Sequence, residues 1–254
     1  PRERLIEVRN LDGGWGQQQV LADLSMEVHE GEIMVVVGKS GCGKSTLMRY
    51  LLGLSKPWSG TVTYDGKDIW SSPRVLERAR RRWGVLFQSG ALLGSFTLLE
   101  NVSLPLVEFT GLSEDEVEMV AMHKLDIVGL SDAADSLPLS VSGGMQKRAA
   151  LARAMALDPD ILFFDEPSAG LDPISSRRLD DLILELRESL GATVVIVTHE
   201  LASIFGIGTN SVFLDPDSRT MIAQGDPKLL LAESRDPKVL EFLTRGEEKE
   251  GPSD

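Results

Sequence analysis

The sequence predicts an α/β fold: a parallel sheet with helices on both faces, interrupted by a helical lobe at about residues 91–157. Three observations predict it. Strand-length apolar runs at Ile161–Phe164 and Thr193–Val197 flank a segment with matched helix-end signals. Alternation of this kind implies parallel strands with helical crossovers. The stretch from about 97 to 157 is helical in pattern and carries no clear strand. A glycine-rich run also sits between a buried strand and an apolar-periodic helix.

In chain order, Leu5–Val8, the region around Val20 and Glu32–Val37 read as short strands, and Thr61–Tyr64 as one arm of a hairpin turning at Asp65-Gly66. Asp172 suits an N-cap, Pro173 the first helical position, and Gly191 the residue beyond the helix end. The core is expected over 1–90 and 158–230, with a C-terminal helix at 236–245. All of it to residue 245 forms one domain. Residues 246–254 are acidic and poor in apolar side chains, which predicts a disordered tail.

Composition narrows the function. Hydrophobic residues make up 42% of 254, enough for a large core, and no run approaches the roughly 20 apolar residues of a membrane span. Pro1-Arg2-Glu3-Arg4 is charged and leads into a strand, unlike a signal peptide, and a start at proline reads as trimmed or engineered. The single cysteine, Cys42, forms no intrachain disulfide and fits a reducing compartment. A net charge of −13 argues against nucleic acid as the partner. The basic cluster Arg74, Arg78, Arg80, Arg81 and Arg82 reads as a solvated helix face, the alternative being a contact with lipid headgroups or an acidic surface.

Gly38-Lys39-Ser40-Gly41-Cys42-Gly43-Lys44-Ser45-Thr46 matches the P-loop pattern G-x-x-x-x-G-K-[ST] in its required strand-to-helix context. Glycines let backbone N–H groups curl around phosphate oxygens, and the helix N-terminus adds positive potential. Lys44 is placed to reach the β- and γ-phosphates, and the Ser45 hydroxyl to ligate Mg²⁺. Four apolar residues, Ile161-Leu162-Phe163-Phe164, deliver Asp165 and Glu166 to a strand end. Asp165 suits Mg²⁺ binding and Glu166 a general base for an attacking water. Ser142-Gly143-Gly144, opening an Ala-rich helix, offers a second anion cradle. One chain cannot readily fold both cradles onto one γ-phosphate. Two chains arranged head to tail can.

On these residues the chain, over about 5–230, resembles the ATP-binding cassette family. Its usual signature is Leu-Ser-Gly-Gly-Gln, and here Val141 and Met145 replace the end residues while Ser-Gly-Gly is kept. The resemblance implies a P-loop NTPase core with a small antiparallel β subdomain and an inserted helical subdomain. It also implies ATP and Mg²⁺ as cofactors and a second copy of the chain as partner. It makes Trp15 an adenine-stacking residue, Gln88 a sensor of Mg²⁺ and the attacking water, Ser168–Asp172 a loop that signals between subunits, and His199 a γ-phosphate contact. Leu86–Leu93, Ser142–Met145 and Asp236–Leu243 are similar to the MCE-associated (Mla-type) lipid-transport ATPases, although Leu93 departs from a usual Phe. That resemblance implies a permease dimer, an MCE-domain lipid-binding protein and a STAS-domain regulator. It places the chain on the cytoplasmic face of the inner membrane. The apolar run Gly90–Phe96 is either core or a groove beside Gln88 that receives a permease helix.

Overall fold

The structure, a computed structural model, describes residues 3–244, so the expected tail at 246–254 lies outside the described residues. Along the chain run β1 (Arg4–Trp15), β2 (Gln18–His29), β3 (Ile33–Gly38), α1 (Lys44–Leu51), β4 (Ser59–Tyr64), β5 (Lys67–Asp68), α2 (Pro73–Arg80) and β6 (Trp83–Leu86). Then come α3 (Leu98–Phe109), α4 (Glu114–Ile127), α5 (Gly143–Ala154), β7 (Ile161–Asp165), α6 (Pro173–Leu190) and β8 (Thr193–Val197). The chain closes with α7 (Leu201–Ile207), β9 (Asn210–Asp215), β10 (Thr220–Gly225), α8 (Pro227–Glu233) and α9 (Pro237–Leu243). Among the described residues no helix is long and apolar enough to cross a membrane.

Two compact units make up the chain. One holds Ile69–Ile196 with His29–Glu32, and the other holds Arg4–Val28, Ile33–Asp68 and the residues from Val197 onward.

In the second unit, β1 pairs antiparallel with β4 in the register Ile6↔Tyr64, within a sheet ordered β2-β1-β4-β5. Asp65 and Gly66 both have positive φ (49° and 73°), the requirement of the tight turn that Asp-Gly favours. Tyr50, on α1, ties this sheet to the helix: its hydroxyl accepts from Gly14 N at 2.9 Å, and Tyr64 donates to Leu51 O at 2.8 Å. β3 is wholly buried and runs parallel to β9, which pairs antiparallel with β10. The β9–β10 hairpin makes the sheet mixed, a detail that the alternating pattern does not disclose.

The other unit carries β8, β7 and β6 side by side, with β6 and β7 parallel in the register Val85↔Phe163. The expected helical stretch folds as α3, α4 and α5, packed on one another. Two capping boxes start the first two of these helices. Thr97 N donates to the Glu100 carboxylate at 2.6 Å while Glu100 N donates back to Thr97 Oγ1, and Ser113 N donates to Glu116 Oε2 at 2.7 Å. The Arg148 guanidinium donates to Val128 O at 2.7 Å, satisfying a carbonyl at the end of α4. Asp172 caps α6 through Ile174 N and Ser175 N, both at 3.0 Å, and Gly191 ends it at φ 65°. Both ends fall where the sequence places them.

Candidate functional site

The P-loop forms because strand β3 ends in residues that only glycine can supply. Gly38, Gly41 and Gly43 all have positive φ. A Cβ on Gly38 would lie 2.4 Å from Leu214 O and 2.6 Å from Cys42 Sγ, and one on Gly43 2.7 Å from Leu21 Cδ2. Dihedral and space both demand glycine. The loop folds around the ammonium of Lys44, which donates to Gly38 O at 2.8 Å and Lys39 O at 3.2 Å. Ser40, Gly41 and Ser45 are exposed, whereas Cys42 and Thr46 are buried. Burial pushes the Cys42 thiol up, with the nearby Lys44 charge acting against it.

Thr46 faces an interaction that the motif alone does not suggest. Its Oγ1 accepts from the Trp15 indole N–H at 3.0 Å, and the Arg49 guanidinium sits 5.0 Å from the centre of the Trp15 ring. Trp15 is thereby anchored while 53% exposed, with a cation over the ring. His199 is exposed just after buried Thr198, whose hydroxyl accepts from Glu200 N at 3.1 Å.

The same unit sets the C-terminal helix near the P-loop. Lys39 pairs with Glu241 of α9 at 3.2 Å, and Phe213 meets Phe242 edge-on at 5.7 Å. Lys238 bridges Asp215 and Asp217, both at 2.7 Å, and its hydrogen bond holds the buried Asp215 carboxyl down at about 2.

In the other unit, β7 carries four buried apolar residues and ends at Asp165 and Glu166, as the sequence predicts. Glu166 has φ 48°, a left-handed conformation that costs a non-glycine residue about 1–3 kcal/mol. Beyond β6 the chain exposes Phe87, Gln88 and Ser89, then turns, with Gly90 N donating to Phe87 O at 2.7 Å. Ala91 is also left-handed, at φ 50°.

Three residues that motif reasoning passed over organise this region. Lys147, on α5, is 7% exposed; its ammonium donates to Gln88 O and to Glu166 O, the latter at 3.5 Å. Arg153, on the same helix, donates to Gly90 O and Ala91 O, both at 2.8 Å. Burial lowers the affinity of both cations for their protons, and for Lys147 the charges of Asp165 and Glu166 act against that. Asn101, fully buried, accepts from Leu93 N at 2.8 Å and donates to Leu93 O, Phe96 O and Thr97 O. The available signal was polar residues on otherwise apolar helical faces, since lysine is almost never buried without partners.

Ser142 caps α5, its hydroxyl accepting from Met145 N at 3.3 Å, and Ser142 and Gly143 are exposed at the helix start. In the Ser168–Asp172 loop, Ser168 is buried, and the Asp172 carboxylate is engaged by its capping bonds and by Ser175 Oγ at 2.5 Å. The Ser175 hydrogen bond is the main reason that the Asp172 carboxyl sits below the usual range.

The segment beside Gln88, expected as core or as a groove, leaves Leu93 partly open to solvent. Leu93 is 46% exposed, and a cavity of about 410 Å³ in the same unit is lined by Arg80, Trp83, Val85, Pro105, Phe109 and Leu157 among others. Asn101 and the Thr97 cap hold the 90–97 segment to the start of α3. Of the basic cluster, Arg74, Arg78, Arg80 and Arg81 are exposed, and Arg80 and Arg81 also border that cavity.

Residues 21–169 match the family model described as ABC transporter. Over 251 residues the chain is 41% identical to the intermembrane phospholipid transport system ATP-binding protein MlaF of Haemophilus influenzae, covering 98% of this chain and 93% of that one. It is 39% identical over 239 residues to the probable ribonucleotide transport ATP-binding protein mkl of Mycobacterium leprae, covering 94% and 68% respectively. The dimeric structure of a post-hydrolysis state of the ATP-binding cassette MJ0796, bound to ADP and Pi, resembles it with a TM-score of 0.78 at 30% identity over 87% of this chain and 98% of that one. With an intact P-loop, an acidic pair ending a buried strand and a Ser-Gly-Gly run at a helix start, the chain belongs to the ABC transporter family, as one of its ATP-hydrolysing subunits.

Proposed function

We propose that this subunit drives phospholipid transport, working as a head-to-tail pair of identical chains beneath a membrane permease dimer. The observation that carries the reading is the similarity to MlaF along nearly the whole of both chains. An MCE-domain lipid-binding protein and a STAS-domain regulator are the further partners expected, on the cytoplasmic face of the inner membrane. The expected organisation, one domain over 1–245 with a helical insertion at about 91–157, belongs to this proposal.

In this reading the P-loop (Gly38, Ser40, Gly41, Cys42, Gly43, Lys44, Ser45, Thr46) binds the ATP phosphates, and Trp15 stacks on adenine. Lys44 stabilises charge on the γ-phosphate as it leaves. Glu166 takes a proton from the attacking water, which Gln88 senses, and His199 contacts the γ-phosphate. Ser142, Gly143, Gly144 and Asp172 act towards the second copy. The hydroxyl of Ser45, the amide of Gln88 and the carboxylate of Asp165 are hard oxygen donors, the type Mg²⁺ takes. When bound, that ion neutralises phosphate charge. The permease docks by a helix seated in the cavity lined by Val85, Pro105 and Phe109.

A ribonucleotide cargo is the second reading, favoured by the name of the mycobacterial relative. Mass spectrometry of the purified subunit–permease complex separates the two. Co-purified phospholipid supports the first, and bound nucleotide outside the ATP sites with no lipid supports the second.

A further inference from the structure

We infer that Lys147 is a positioning residue for hydrolysis, holding the backbones of Gln88 and Glu166 together from the helix that begins at Ser142. The inference rests on the reading above, which gives Glu166 and Gln88 their roles.

Lys147 is 7% exposed, its ammonium bonds two backbone carbonyls, and the charges of Asp165 and Glu166 act on it from nearby. A buried ammonium is tolerated only where such dipoles replace water. One of its acceptors is the carbonyl of Glu166, a residue in left-handed backbone conformation at φ 48°. Such a conformation persists only where the surroundings over-determine it. The neighbouring Arg153 treats the other left-handed residue of the region in the same way, donating to Ala91 O. Helix α5 thus pins two strained backbone positions with two cations, Lys147 buried and Arg153 half-buried. A shift of α5 at its Ser142 end therefore moves the carbonyls of Gln88 and Glu166 together through one side chain. Where Ser142 senses nucleotide on the second copy, Lys147 carries that event to the water-activating residues of its own chain.

The test is a double-mutant cycle in the full chain, with steady-state ATPase kinetics and fluorescent-nucleotide binding. Lys147→Met is expected to lower kcat at least tenfold, with nucleotide affinity within twofold. In the Glu166→Gln background the same substitution is expected to cost nothing further, since residues acting through one another are non-additive. A Lys147→Met chain with wild-type kcat, or losses that simply multiply, overturns the inference. If the Met variant loses its cooperative melt, Lys147→Gln decides: a kcat reduced threefold or more with intact binding supports the role, and an unchanged kcat overturns it. Failure of the underlying reading is distinguishable, because it shows as Glu166→Gln alone turning over ATP at the wild-type rate.

Discussion

Lys238 of the C-terminal helix donates to the Asp215 carboxylate at 2.7 Å, at the end of the strand whose Leu214 pairs with Gly38 of the P-loop. A hairpin-strand terminus, the P-loop and the last described helix are therefore mechanically joined inside one unit.

That bond has a pH signature. Asp215 is held at about 2 from an ordinary 3.8, so its folded pKa is depressed. Its contribution to stability is complete above the unfolded value and is lost as pH falls through about 2. Lys238→Met should therefore lower Tm near neutral pH and flatten its fall with acid. The side chain of Lys238 is 42% exposed, so screening keeps the loss to a few degrees, roughly 2–4 °C. Thermal melts between pH 2 and 7 check this.

Lys44→Ala should lower ATP turnover about 10²-fold, since no other side chain of the loop carries its charge to the phosphates. Lys39, the other lysine of the loop, faces Glu241 instead. Steady-state hydrolysis under saturating ATP is the measurement, and a half-maximal rate would remove the loop from the reaction.

Asn101→Leu should destabilise the chain by about 2–4 kcal/mol, because it strands the Leu93 N–H and the Phe96 carbonyl, while Leu93 O and Thr97 O keep their backbone donors Phe96 N and Asn101 N. Chemical denaturation reads the loss. Limited proteolysis should show faster cleavage in the 90–97 segment than elsewhere.

Phe109→Asp should leave the fold intact, the side chain being about half exposed, yet abolish capture by the permease. Leu93→Asp should be milder, since Leu93 does not line the cavity. Pull-down with the permease, alongside circular dichroism of the free subunit, ranks the two. The opposite ranking returns the docking site to the segment beside Gln88.

The strands and helix ends were legible wherever one residue type answers one physical need. Asp172, Pro173 and Gly191 bound α6 as read, and Gly38 and Gly43 of the P-loop are forced by φ and by space. The β9–β10 hairpin was not legible, because β10, Thr220–Gly225, is half-buried throughout and shows no alternation. The cavity lined by Val85, Pro105 and Phe109 was not legible, because its walls come from residues far apart in the chain. Lys147 was missed because a lysine in an Ala-rich helix reads as solvated until its carbonyl partners are seen.

The most direct test of the account is ATP-dependent movement of labelled phospholipid by the reconstituted subunit–permease complex, with wild-type chain and with Glu166→Gln. The account predicts transfer that requires Mg-ATP in the first and stops in the second, while ATP still binds and the paired chains stay together. Equal transfer by both, or ATP turnover by the wild type with no lipid moved, would contradict it.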